Sequence, residues 1–269
     1  MELITMHTHS TFCDHAKDSL ADMVQAAVDA GVSTMAVTEH YPISDSIDST
    51  RYASMRMERL PEYIAAVREQ QELHPEIQLL LGCELDWLGP EEDRQLDFST
   101  FEEFDIVLGS VHFIDRWLFN SSKFKERWER EDVDELWRTY LERWCAAAAS
   151  DWPFTVMAHP DVIKKFGFYP SFDLTPHYEE MAEAAAAGGR MIEVNTSGKF
   201  SPCAQYYPAP DLLTEFRKAG VPCTVGTDAH SRLSIARDIR GAYEYMAQAG
   251  YTEVTVPLPG RATRGIPLL

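Results

Sequence analysis

Cysteine is scarce in this 269-residue chain. There are five, Cys13, Cys83, Cys145, Cys203 and Cys223, odd in number, widely spaced and without a CxxC pair. That pattern excludes a disulfide framework and a thiolate metal finger, and it fits reduced thiols in a cytoplasmic protein. Positive charge is also short: 24 Lys and Arg stand against 43 Asp and Glu, a net charge of -19. Such a surface repels phosphate backbones and anionic lipid, so neither nucleic acid nor membrane is expected as a partner. No apolar run approaches the ~18 residues of a membrane span. The start of the chain lacks a basic segment followed by an apolar one, so no signal peptide is expected. No G-x-G-x-x-G or P-loop follows the first apolar run, which removes support for the usual nucleotide folds.

What the chain has is alternation. Seven times a short β-rich run is followed by a longer stretch, helical in six cases. "LITMHTH" (3–9) precedes "LADMVQAAVDAG", closed by Gly31; "TMAVTEH" (34–40) precedes a polar loop and "LPEYIAAVREQQELH". "IQLLLGCELDW" (77–87) precedes an acidic, irregular segment, and "FDIVLGSVHF" precedes "DVDELWRTYLERWCAAAAS". "FTVMAHP", "RMIEVNTSG" and "PCTVGTDAH" each lead into a helical pattern; "YTEVTVPL" (251–258) reads as an extra strand or a tail. Alternating β and α elements imply a parallel sheet covered by helices, open or closed. One domain over residues 1–269 is expected.

Polar residues decide between the two. The runs end in His7 and His9, Glu39 and His40, Glu84 and Asp86, His112, His159, Asn195, and Asp228 and His230. A single strand-end histidine is usually a hydrogen-bonded core or loop residue. Here seven of the nine histidines, including His15, lie at or just after such ends; His74 and His177 do not. In a TIM-like barrel the C-terminal strand ends share one mouth. His-x-His puts both rings on one strand face, and Asp228-x-His230 repeats that geometry on the last strand, which neighbours the first in a closed barrel. Imidazole and carboxylate together suit Zn, Fe or Mn.

The ordered pieces "HTH", "TEH", "GCELD", "GSVHF", "AHPD" and "TDAH" resemble the PHP (polymerase and histidinol phosphatase) superfamily. "LLLGCELDW", "HPDVIKKFG" and "EVNTSG" look more narrowly like the monofunctional histidinol-phosphate phosphatases of histidine biosynthesis. The resemblance implies an α/β fold, a distorted seven-stranded (β/α) barrel, with three divalent metal ions. One ion would be held by His7, His9, Glu84 and Asp228, a second by Glu84, His112 and His159, and a third by His15, His40 and His230. It implies hydrolysis of a small phosphate monoester, L-histidinol phosphate first. A hydroxide between the metals sharing Glu84 would attack phosphorus, with Asp228 holding its proton. Lys165 and Lys199 stand where the family tends to carry arginine, and only arginine makes a two-pronged phosphate contact. They are the candidate phosphate ligands, with Asn195, Ser197 and, for the substrate ammonium, Asp86. A PHP esterase acting on other small phosphates, a non-catalytic metal-binding relative and an amidohydrolase barrel are the alternatives; the intact ligand set and "TDAH" disfavour the last two. The stretches 41–61 and 117–132 read as mouth loops, with Trp117 and Phe119 as candidate pocket walls.

Overall fold

A computed structural model describes residues 1–48, 52–89 and 96–268. Seven parallel strands form one sheet: β1 (Leu3–Thr5), β2 (Val32–His40), β3 (Gln78–Asp86), β4 (Ile106–Ser110), then, after the hairpin β5 (Phe113–Ile114) and β6 (Trp117–Leu118), β7 (Val156–Met157), β8 (Met191–Asn195) and β9 (Cys223–Gly226). The sheet curls until its edges meet. Met6 N donates to Val225 O at 2.8 Å, Asp228 N to His7 O at 2.9 Å, and Thr8 bridges Ala229 in parallel. The expected seven-stranded α/β barrel is what forms, nearly closed.

Among the described residues six α-helices clothe it: α1 (Leu20–Asp29), α2 (Leu60–Leu73), α3 (Val133–Ala149), α4 (Thr175–Ala187), α5 (Pro210–Lys218) and α6 (Ile239–Gln248). Their ends follow local chemistry. Ser19 caps α1 by accepting from Asp22 N, while its hydroxyl donates to the Asp22 carboxylate at 2.6 Å. Gly31, at φ +73, takes the left-handed position after the helix. Asp132 caps α3. Between β3 and β4 the described connection has only a short 3-10 helix, Phe98–Glu103, consistent with the irregular segment expected there; residues 90–95 lie outside the described residues.

The strands are buried on both faces, as central strands of a covered sheet must be: eight of nine positions of β3 and all of β4, β8 and β9 are buried. The Tyr63 hydroxyl of α2 reaches between two strands, within hydrogen-bonding distance of Val37 O (2.8 Å) and Gly82 O (2.6 Å). The "YTEVTVPL" run is a strand, β10 (Glu253–Pro257), paired antiparallel with β11 (Thr263–Pro267) outside the barrel. No helix among the described residues is long and apolar enough to cross a membrane.

Candidate metal centre

Six of the seven strand ends deliver imidazole or carboxylate groups to the same mouth. His7 and His9 follow β1, His40 ends β2, Glu84 and Asp86 end β3, His112 follows β4, His159 follows β7, and Asp228 and His230 follow β9. His15 joins them from the loop after β1. These groups surround and underlie a cavity of about 280 Å³, with His7 and His9 fully buried beneath it. Two of the mouth residues, His159 (φ +25) and Asp228 (φ +50), hold positive φ without being glycine. Backbone strain of that kind persists where surrounding structure over-determines a functional position.

The nitrogens face one another in pairs. His7 Nε2 lies 3.0 Å from His9 Nε2, His112 Nε2 3.1 Å from His159 Nε2, and His15 Nε2 3.0 Å from His230 Nε2. The far side of four of these rings is already committed. His7 Nδ1 meets Glu193 at 2.9 Å, His112 Nδ1 meets Asp86 at 3.1 Å, His15 Nδ1 meets Cys13 O at 2.7 Å, and His230 Nδ1 meets Asp228 O at 3.0 Å. A ring nitrogen facing an oxygen acceptor carries the proton, so in the neutral ring the other nitrogen is a bare lone pair. His15 and His230 are therefore two lone pairs pointed at each other. Burial and the neighbouring His40 and His9 push His15 down to about 3; burial and His9 hold His230 well below its usual range. Both are neutral near pH 7, and only a cation between them makes the contact favourable.

Glu84 sits at the centre. Its Oε2 is buried with no hydrogen-bond partner, yet lies 3.0 Å from His40 Nδ1, 3.2 Å from His7 Nε2 and 3.4 Å from His9 Nε2. Its Oε1 lies 2.9 Å from His159 Nε2 and 3.5 Å from His112 Nε2, and accepts from Ser110 Oγ at 2.5 Å. Asp228 Oδ1 is 3.4 Å from His9 Nε2 and 3.7 Å from His7 Nε2. Donor atoms around a tetrahedral ion at about 2.0–2.1 Å stand roughly 3.3–3.4 Å apart, so these spacings fit a metal cage. Although burial opposes charge, Glu193, Glu84 and Asp228 lift His7 well above its usual pKa, and Asp228 with Glu39 lift His9 to about 9. Burial likewise opposes the Glu84 carboxylate, but His7, His40 and His112 hold its pKa well down. Cys13 is near the His15–His230 pair, but burial and Glu39 push its thiol up and leave it neutral.

A second ring of carboxylates lies behind the nitrogens. Glu193, buried inside β8, faces His7 Nδ1 and also accepts from His159 N (2.9 Å) and Asn195 Nδ2 (2.8 Å). Glu39 accepts from Ser10 N and Oγ, each at 2.6 Å, and has its second oxygen 3.8 Å from His9 Nδ1. The sequence reading gave neither a role. Gly226 shows how tightly Glu193 is placed: a Cβ there would sit 2.1 Å from Glu193 Oε2 and 2.6 Å from His7 Cβ. Partners of this kind fix the tautomer and orientation of a ligating histidine. Glu193→Gln is expected to weaken metal binding about 10- to 100-fold with the fold retained, measured by competition with a chromophoric chelator. An unchanged affinity would mean that Glu193 only packs.

Three expected substrate contacts are placed elsewhere. Asp86 is 2% exposed and both its oxygens engage His112, Oδ1 at the backbone N (3.0 Å) and Oδ2 at Nδ1 (3.2 Å), so it orients that ring. Asn195 is fully buried and spends its amide locally, donating to Glu193 and accepting from Ser197 N. Lys199 points out to Asp238 at 2.6 Å and Tyr206 OH at 3.2 Å. Strand face predicts direction, not partner, and in each case a nearer polar group takes the side chain. Lys165 and Ser197 do line the cavity, Ser197 donating to Asp228 Oδ2 at 3.2 Å. Neighbouring Lys164 is buried on Asp161 (2.7 Å). Trp117 and Phe119 are buried; Leu118 between them reaches the cavity. His74 and His177, left without a role, face the surface carboxylates Glu76 and Glu180.

Strand-end imidazoles and carboxylates gathered at a barrel mouth define a class, and the comparison with known families agrees: residues 5–197 match the PHP domain, and the chain belongs to that family. Among its relatives is a Deinococcus radiodurans protein named probable histidinol-phosphatase, 34% identical over 256 residues, covering 94% of this chain and 96% of that one. The histidinol-phosphatase of Lactococcus lactis is 26% identical, covering 94% of each chain. The crystal structure of the histidinol phosphate phosphatase from the same organism, complexed with zinc, L-histidinol and phosphate, superposes with a TM-score of 0.77 at 23% identity, over 96% of this chain and 97% of that one.

Proposed function

We propose that this chain, as one PHP unit over residues 1–269, is a divalent-metal-dependent phosphatase that hydrolyses L-histidinol phosphate to L-histidinol and phosphate. The observation that carries the reading is the cluster of facing imidazole nitrogens around the orphaned Glu84 carboxylate. The named activity of relatives matched over nearly their whole length supports the substrate. His7, His9, Glu84 and Asp228 hold one ion, Glu84, His112 and His159 a second, and His15, His40 and His230 a third. Zinc, iron and manganese all suit these donors. Bound ions supply Lewis acidity, bringing the pKa of water near neutrality and drawing charge from phosphoryl oxygens.

The chain's own groups do the rest. Asp228, held by Ser197 Oγ at the cavity edge, would take the proton of the attacking water. Lys165 is the cation of the pocket. Burial pulls its pKa down from the usual lysine range, while Asp228, Cys203 and Glu84 oppose that pull. Its ammonium meets a phosphoryl oxygen as a point charge, without the fork an arginine would bring. Lys165→Gln is expected to lower kcat/KM about 10- to 100-fold, the loss of one charge-assisted hydrogen bond in a dry site. Lys199→Gln, at the exposed Asp238 pair, is expected to leave kcat/KM within about twofold. Steady-state kinetics on both variants check the assignment; equal losses would contradict it.

The function itself is tested with purified, metal-loaded protein on L-histidinol phosphate beside a panel of other phosphomonoesters and a phosphodiester. L-Histidinol phosphate is expected to have the highest kcat/KM. A panel member turned over more efficiently would make the chain a PHP esterase of another small phosphate.

A further inference from the structure

The proposed substrate raises an electrostatic problem. A phosphoryl dianion must approach a protein of net charge -19, whose long-range field repels it. One surface stretch breaks the pattern. Residues 116–130 carry five basic groups (Arg116, Lys123, Lys125, Arg127 and Arg130) against two acids (Glu126 and Glu129). Four of these cations line a groove of about 480 Å³ beside the β5–β6 hairpin, against the carboxylates of Asp48 and Glu126.

The groove is braced by several contacts and adjoins the metal cavity. Leu118 lines both. Lys123 Nζ sits 4.0 Å above the Tyr52 ring, which lies 5.2 Å from the His15 ring. Arg143 of α3 holds the hairpin from behind, donating to Phe113 O at 3.1 Å and Asp115 Oδ1 at 2.6 Å. Trp117 packs edge-on against Trp128, whose indole N–H donates to Phe119 O at 2.8 Å. Arg127 is committed to Glu131 at 2.6 Å, but Arg116 and Arg130 pair with no carboxylate among the described residues.

The hairpin turn adds an independent observation. Asp115 and Arg116 hold φ of +48 and +62, the backbone of a turn that strongly favours Asn-Gly. Arginine at its second position is strained, and glycine would remove the strain. A strained residue whose exposed guanidinium pairs with no carboxylate among the described residues and lines a cavity points to a use for that guanidinium.

We propose that the groove is an electrostatic collector for the phosphomonoester, holding the dianion at the rim and passing it to the metal cavity across Leu118. This rests on the phosphatase reading. The collector acts before chemistry, so it raises kcat/KM and leaves kcat alone. It also weakens with salt, because exposed charges are screened over about 10 Å at 0.1 M and about 3 Å at 1 M ionic strength.

The test is the ionic-strength dependence of L-histidinol phosphate hydrolysis by the metal-loaded enzyme and by the R116G/K123Q/R130Q variant. Arg116→Gly suits the turn, so the fold is expected to hold, with Tm as the check. A control variant, R68Q/R217Q/K218Q, removes the same charge from the helices α2 and α5. At low salt the groove variant is expected to lose about three- to tenfold in kcat/KM with kcat unchanged, and to converge on wild type near 1 M salt. The control is expected to track wild type throughout. Equal kcat/KM at low salt, a deficit that persists at high salt, a fall in kcat, or an equal loss in the control overturns the collector. Wild type that is active while the groove variant is unimpaired overturns the collector alone; wild type without phosphomonoesterase activity overturns the functional reading and the collector with it.

Discussion

Glu84→Gln is expected to lower kcat by about 10³-fold or more, roughly 4 kcal/mol of transition-state free energy. Among the described residues, Glu84 is the side chain whose two oxygens face different nitrogen pairs, Oε2 toward His7 and His9 and Oε1 toward His112 and His159. Glutamine keeps the shape but turns one of those oxygens into an amide that donates. One half of the site then faces a donor where a ligand is needed, and the negative charge that offsets the cations is gone. The loss should appear in kcat as well as in metal content, read by steady-state kinetics beside elemental analysis of the purified variant. Near-native turnover with full metal content would remove Glu84 from the chemistry.

Metal removal is the second large effect. Dialysis against a strong chelator is expected to abolish turnover, and added zinc, manganese or ferrous ion is expected to restore it. Stability falls with it, because a ligand bound only by the folded state stabilises by mass action. One ion present at 10³ times its Kd contributes about 4 kcal/mol, which for a chain of this size amounts to about 10 °C in Tm. The stripped protein keeps the facing lone pairs of His15 and His230 and the unpartnered oxygen of Glu84, with nothing between them. Thermal melts with and without chelator measure the shift; identical melts would mean that no ion is held by the native fold.

Much of this was legible in the sequence because barrel geometry converts order into position. Six of the seven apolar runs end in a histidine or carboxylate and the other in Asn195, and closure of seven parallel strands brings such ends to one mouth whatever their separation along the chain. His7 and Asp228 meet because the first and last strands are neighbours. His15 came from the family resemblance, since no strand period reaches a residue in a loop.

The supporting carboxylates were harder to read. Glu39 alternates away from His40 as a strand requires, and the side it faces is the rear of His9, contributed by a neighbouring strand. Glu193 lies within a run, two residues before Asn195 on the same face. A carboxylate inside "MIEVN" was the available signal, because a charge at a buried strand position needs a partner. Asp86, Asn195 and Lys199 show the converse limit. Each was on or near the right face, and each is taken up by a closer partner, His112, Glu193 with Ser197, and Asp238.

The position of bound metal is the most direct measure of this site. Anomalous diffraction from crystals of the metal-loaded protein is expected to show one ion where His7, His9, Glu84 and Asp228 converge, one between His112, His159 and the other Glu84 oxygen, and one among His15, His40 and His230. An active enzyme whose crystals place metal away from Glu84, or that holds none at these positions, would contradict that placement.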